Sequence, residues 1–130
     1  MAGVSCGDCR IDARVVGFGG GDAMLELRTR GATRYALVLA ADGTLELRRY
    51  QSGTATTLAR APSGIADLTN WSSLSFSVSG TGPVVLNGYV NNLLRLSASD
   101  SGSQAITAAG AAGIAATMSG MWFDDFTLRR

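Results

Sequence analysis

The chain has 130 residues, 46% of them hydrophobic, with 11 basic groups, all arginine, against 10 acidic ones and a net charge of +1. That length supports one domain with a real core, and the composition lies far from the low-hydrophobicity, high-charge profile of disorder. A balance so close to neutral, with no basic stripe, argues against binding to nucleic acid or an anionic membrane.

Residues 1–9 read as a tail carrying Cys6-Gly7-Asp8-Cys9, and residues 10–130 as one domain of short alternating runs separated by Gly, Ser, Asn and Asp, the signature of an all-β chain. Residues 10–18 set Ile11, Ala13 and Val15 against Asp12 and Arg14. A turn over residues 19–22 leads to Ala23, Leu25 and Leu27, so the two runs predict a hairpin. Tyr35, Leu37 and Leu39 continue the pattern, Asp42-Gly43 supplies a tight turn, and Leu45 and Leu47 begin the return strand. Gln51-Ser52-Gly53 turns into residues 54–59, whose β-branched threonines suit a strand.

Between residues 60 and 70 the alternation fails; Pro62, Ser63 and Gly64 mark a connection, with one helical turn over residues 65–68 as the single non-β element. Trp71 opens the most regular strand, with Leu74, Phe76 and Val78 on a core face and Ser73, Ser75, Ser77 and Ser79 on a wet one. Residues 83–89, 93–96, 106–108, 111–118 and 121–128 complete the set, divided by Asn87-Gly88, Asp100-Ser101-Gly102 and Gly110. Ten or eleven strands in this length predict two packed antiparallel sheets.

The closing run Met121-Trp122-Phe123-Asp124-Asp125-Phe126-Thr127-Leu128 sets two carboxylates among aromatics. A buried unpaired charge is expensive, so something must satisfy one of them. Alternation puts Asp124, Phe126 and Leu128 on one face and Phe123, Asp125, Thr127 and Arg129 on the other. Asp124 is then the structural carboxylate, at the rim of a core, accepting backbone N–H groups or a metal ion.

No apolar run approaches the roughly 20 residues of a membrane-spanning helix, and residues 1–4 are no signal-peptide core, so insertion into a membrane is not expected and a secreted origin requires a leader absent from this chain. The absence of His excludes a Ser-His-Asp triad, His-ligated zinc and an imidazole base. Cys6-x-x-Cys9 precedes the first strand instead of opening a helix, which argues against a thioredoxin-like site. Zinc on two cysteines would have to bridge two molecules. In a secreted protein a local Cys6–Cys9 disulfide fits the required separation and contributes about 2 kcal/mol at most.

In order and spacing, the Ile11-Asp12-Ala13-Arg14-Val15, Leu25-Glu26-Leu27-Arg28 and Arg34-to-Leu39 runs, the Asp42-Gly43 turn into Leu45-Glu46-Leu47, Trp71 before Leu74-Ser75-Phe76-Ser77-Val78, Leu86-Asn87-Gly88 as a hairpin, Asp100, Gly110-Ala111-Ala112-Gly113-Ile114 and Phe123-Asp124-Asp125-Phe126 together resemble the laminin-G-like bacterial branch of the concanavalin A-like lectin/glucanase superfamily. The resemblance runs from about residue 10 to the end and implies an all-β, two-sheet antiparallel jelly-roll sandwich. It does not imply one activity, because the superfamily includes lectins, carbohydrate-binding modules, glycoside hydrolases and protein-interaction domains. Members of this branch carry one or two strands before the equivalent of Ile11–Val15, where this chain has only nine residues ahead of Arg10. Either the domain is minimal, or a partner chain or a second copy in a homodimer completes the sheet edge.

Glycosidases of the superfamily place glutamates two apart on one strand, in a Glu-x-Asp-x-x-Glu arrangement that this chain lacks. Its two glutamates, Glu26 and Glu46, lie on separate strands near Arg28 and Arg48, a pattern that fits a solvated cross-strand ion-pair ladder as well as an acid and nucleophile pair. Sugar binding needs an aromatic platform and planar polar partners. Tyr50, in register with Glu46 and Arg48, and Tyr89, sharing parity with Asn87, are the platforms; Tyr35 reads as core, and Trp71 plugs the end of the sandwich. Jelly-roll modules often hold a structural calcium ion, for which Asp124 with Asp100 or Asp8 would supply oxygens, the alternative being that Asp124 only caps amides. The expectation is therefore a carbohydrate-binding or adhesive module without catalysis, cut from a larger extracellular or cell-surface protein. It takes an oligo- or polysaccharide at Glu26, Arg28, Glu46, Arg48, Tyr50 and Tyr89, with no cofactor beyond that calcium. A structural or assembly domain and a glycoside hydrolase are the alternatives.

Overall fold

The computed structural model describes residues 5–17, 22–40, 42–52, 54–65, 71–116 and 121–129, with the backbone alone at 5, 6, 116, 121, 122 and 124–126. Every regular element among them is a strand: β1 (Ser5–Cys6), β2 (Cys9–Gly17), β3 (Ala23–Arg30), β4 (Thr33–Leu39), β5 (Thr44–Gln51), β6 (Thr54–Pro62), β7 (Ser72–Ser79), β8 (Val84–Val90), β9 (Leu93–Asp100), β10 (Gly110–Ala116) and β11 (Met121–Arg129). They form a six-stranded sheet, β1-β10-β3-β4-β5-β6, and a five-stranded sheet, β11-β2-β7-β8-β9. All pairings are antiparallel.

One core cluster joins the inner faces: Ile11, Ala13 and Val15 of β2 and Leu74, Phe76 and Val78 of β7 from one sheet, Leu25, Leu37, Leu39, Leu45 and Leu47 from the other. All are nearly or completely buried. Burying a side chain of this size contributes about 1.5–3 kcal/mol, so a one-residue slip that turned any of these runs outward would forfeit several such contributions at once.

The expected hairpin between residues 10–18 and 23–28 does not form. β2 pairs with β7 and β11, while β3 pairs with β4 and β10. Both runs carry an apolar face toward the same core, so they meet through side chains across the sandwich and not through backbone bonds. Asn87-Gly88 is likewise no turn but the middle of β8. A Cβ on Gly88 would lie 2.5 Å from Leu96 Cδ2 and 2.9 Å from Leu37 Cδ1, so the glycine makes room for core leucines. The real turn is Asn91-Asn92, with φ of 51° and 67°, the positive pair that a two-residue hairpin favours.

Asp42-Gly43 does turn the chain: Gly43 has φ 89°, and Asp42 Oδ1 accepts from Thr44 N–H at 2.9 Å. Residues 106–108 form no strand. The pairing also reaches back into residues 1–9, since β1 pairs with β10 and β2 starts at Cys9. Of the expected helical turn, residues 66–68 lie outside the described residues. In β11 strict alternation breaks, because the register to β2 shifts between Asp124 and Thr127; Phe123 and Leu128, of opposite parity, both pack against the core.

Candidate functional site

The outer face of the six-stranded sheet collects most of the expected binding residues. Glu26 of β3, Ala36 and Val38 of β4, and Glu46 and Arg48 of β5 point outward together, because Glu26 pairs with Ala36, Ala36 with Arg48, and Val38 with Glu46. Ala36 and Val38 are 0% and 1% exposed, a low apolar floor between long charged neighbours. Glu46 is the hub and accepts four hydrogen bonds. Arg48 Nε donates at 2.7 Å, Thr57 Oγ1 at 3.2 Å, and Arg60 Nε and Nη2 at 3.0 and 2.6 Å. Arg48 Nη1 donates to Tyr50 Oη at 3.0 Å. Arg34 sits against the Glu26 carboxylate and lies over the Tyr50 ring, 4.2 Å from its centroid.

The electrostatics of the hub follow from these bonds. The Arg48 hydrogen bond, reinforced by Arg60 and opposed by burial, holds the Glu46 carboxyl below the usual carboxylate range. Burial works against the charge of Arg48, but its bonds to Tyr50 and Glu46 outweigh that and hold it above its ordinary value. Three guanidiniums against two carboxylates leave a surface that both donates and accepts. The Arg60 side chain is 66% exposed, and a guanidinium carries five N–H donors, more than Glu46 uses.

Two expected binding residues lie elsewhere. Regular alternation would put Arg28 beside Glu26, but the register of β3 shifts between Leu27 and Arg30 and Arg28 takes φ 55°. Gly110 permits this, since a Cβ there would lie 2.6 Å from the Arg28 carbonyl carbon. Arg28 is therefore 1% exposed at the end of the sandwich, donating to Gly7 O at 2.9 Å, Ile106 O at 2.7 Å and Gly80 O at 2.9 Å, with Asp8 at 3.3 Å. Tyr89 is on the outer face of the other sheet, under Arg10 at 4.6 Å. Trp71 is 43% exposed with Arg14 at 5.2 Å from its ring centroid, so it plugs nothing.

Among the expected metal ligands, Asp100 is 7% exposed and fully engaged with protein groups: Arg49 Nη1 donates to both its oxygens at 2.8 and 2.7 Å, and Tyr35 Oη donates at 2.7 Å. The Tyr35 hydroxyl also accepts from Ile106 N–H at 2.9 Å. Burial, and then the bond to Asp100, push its pKa up to about 12. Asp8 donates nothing and accepts from Arg28 and from Gly80 N–H at 3.1 Å. The Asp124 side chain lies outside the described residues, among which no three Cys, Asp or Glu side chains gather as a metal cluster. Cys9 is disulfide-bonded, and the sequence holds one other cysteine, Cys6.

Alternation could have flagged Arg34, which shares parity with Ala36 and Val38. Arg60 carried no such signal, because it falls where the pattern fails and β6 shifts register against β5 between Leu47 and Arg48.

No family model and no curated protein matches the chain. Solved structures match it in fold. The carbohydrate-binding module CBM66 from Bacillus subtilis is 18% identical, with a TM-score of 0.78 over 98% of this chain and 78% of that one. Sheep galectin-11, in complex with glycerol, is 8% identical with a TM-score of 0.67 over 97% and 93%. Galectin LEC-6 of Caenorhabditis elegans is 12% identical with a TM-score of 0.65 over 100% and 92%. At such identities the likeness is one of fold. The chain has a two-sheet antiparallel jelly-roll fold, similar to that of the carbohydrate-binding module and the two galectins.

Proposed function

We propose that the domain binds an oligo- or polysaccharide, without cleaving it, on the outer face of the six-stranded sheet. The observation that carries this reading is the network centred on Glu46, which holds guanidinium and carboxylate groups in fixed alternation across β3 to β6. Sugar hydroxyls both donate and accept, so they can bond to either group, and side chains already locked by one another lose little freedom when a ligand arrives. One face of Tyr50 is covered by Arg34, so the ring steers Arg48 through its hydroxyl and leaves hydrogen bonding, more than stacking, to hold the sugar. The names of the fold neighbours, a carbohydrate-binding module and two galectins, support the same reading.

A non-catalytic role is supported by the chemistry of the glutamates. A glycosidase acid must keep its proton near neutral pH, which needs a raised pKa, whereas the Glu46 carboxyl is lowered and both glutamates are clamped by arginine. The disulfide at Cys9 supports an extracellular or cell-surface setting, where such bonds persist, and with it a binding or adhesive module within a larger protein. The test is a glycan array followed by titration calorimetry on the hits with Glu46→Gln, Arg48→Ala and Tyr50→Ala. Each folded variant is expected to bind about tenfold more weakly or worse, the loss of one or two charge-assisted hydrogen bonds. Affinity unchanged in all three, or an array without a hit, overturns the proposal.

A further inference from the structure

We infer that a cleft at one end of the sandwich, where the β3–β4 hairpin, the end of β5 and the loop from β9 to β10 meet, binds a single sugar residue that carries a carboxylate. The cleft has a volume of about 330 Å³ and is lined by Arg30, Thr33, Gln51 and residues 105–108. That volume falls at the lower end of the range for small-molecule sites, which suits one ring and not a chain. The cleft shares no residue with the Glu46 network on the outer face.

One wall of the cleft is irregular backbone held in place by side chains. Residues 105–108 belong to no strand, yet Ile106 N–H donates to Tyr35 Oη at 2.9 Å and Ile106 O accepts from Arg28 Nη1 at 2.7 Å. Just before the wall, Gln104 O accepts from Gln51 Nε2 at 2.6 Å and Gln104 Oε1 from Arg49 Nη2 at 3.2 Å. The loop is thus fixed by β3, β4 and β5 without a ligand, and a wall already fixed loses little freedom when one arrives.

The charge balance selects the ligand. Arg28 and Arg49, which hold the wall, each pair with a carboxylate, Asp8 and Asp100. Arg30 is exposed and makes no hydrogen bond, ion pair or ring contact with a described residue. The cleft therefore has one unmatched guanidinium, whose forked donors fit the two oxygens of a carboxylate; a doubly charged phosphate would leave charge over. Thr33 and Thr107 bring hydroxyls, and Gln51 keeps an amide oxygen and one N–H beyond the bond to Gln104, so ring hydroxyls find both donors and acceptors. The methyl groups of Ala105 and Ala108 stand beside them. The anion site stands on these residues alone, whereas the choice of a sugar as its carrier rests on the saccharide reading of the domain.

The test is amide NMR of the whole labelled chain titrated with galacturonate, galactose and acetate, at low and high salt. Galacturonate is expected to shift the amides of Thr33, Thr107 and Ala108, to bind there about tenfold or more tightly than galactose or acetate, and to weaken with salt. Arg30→Ala should weaken it about tenfold or more, Arg30→Lys, which keeps charge without the fork, should fall between, and Thr107→Val should cost about threefold. Glu46→Gln should change nothing. Amides far from the cleft that keep their positions confirm that each variant is folded. The inference is overturned if galacturonate moves none of the three amides, if galactose or acetate binds the cleft as tightly, if Arg30→Ala leaves affinity unchanged, or if Glu46→Gln abolishes binding. Acetate matching galacturonate would leave an anion site without a sugar. The outer-face reading fails by other variants, Glu46→Gln, Arg48→Ala and Tyr50→Ala, none of which lines the cleft.

Discussion

At the end of the sandwich Arg28 is 1% exposed and uses its guanidinium on backbone carbonyls from three separate segments, whereas on the six-stranded sheet the Arg60 side chain is 66% exposed and uses its guanidinium on Glu46. A buried guanidinium can be held by fixed dipoles only if every donor is matched, and once matched it ties its partners together. The exposed one keeps donors in water and can exchange them for a ligand. The same side chain thus serves as scaffold in one place and, on the proposed reading, as recognition surface in the other. Burial separates the two roles.

The strongest attempt to break this comparison is Arg28→Ala. Carbonyls of Gly7, Gly80 and Ile106 would lose their donor and a cavity would open, a cost of about 3–5 kcal/mol measured by chemical denaturation. Glycan affinity per folded molecule should not change. A loss below about 1 kcal/mol would mean that the buried network is not scaffold.

The second buried network, Tyr35 with Asp100 and Arg49, gives a smaller effect that pH exposes. The folded protein holds the Tyr35 proton more tightly than the unfolded chain, with a pKa of about 12 against 10.0. Its contribution is therefore complete below pH 10 and is lost as pH rises toward 12, by up to about 3 kcal/mol. Denaturation midpoints should fall across that window, and Tyr35→Phe should lack that part of the fall while being less stable at neutral pH.

The smallest effect on stability belongs to the Glu46 network, where Glu46 is 8% exposed but the Arg60 side chain is largely in water. Glu46→Gln should cost about 1–2 kcal/mol, because Gln keeps an acceptor for its partners, and on the proposed reading it also weakens glycan binding. With its carboxyl lowered, Glu46 contributes above the ordinary carboxylate range and ceases to contribute as pH falls through its folded value. The variant should therefore show a shallower acid limb. A multi-kcal/mol loss at neutral pH would erase the distinction between the two regions.

Much of this architecture was legible in the chain. Leu37 and Leu39, Leu45 and Leu47, and Leu74, Phe76 and Val78 each mark a strand with one apolar side, and such strands have to pair into sheets whose apolar sides meet. Glu46, Arg48 and Tyr50 were placed together for the same reason, since period 2 within one strand needs no partner to be read. Asp42-Gly43 read as a turn because its side chain and its positive φ act locally.

What alternation could not carry was anything that depended on a neighbouring strand. Arg28 left the polar face at a bulge, and Phe123 and Leu128 reached one core across another. Gly88 served Leu37 and Leu96 instead of a turn, and Arg60 reached Glu46 through a shifted register. The amino-acid sequence by itself determined the all-β class, the two-sheet count and the core faces, because these follow from hydrophobic period along each strand. Only the tertiary structure decided which arginine is buried and which is presented, because a one-residue register shift exchanges the two faces of a strand and is set by the strand beside it.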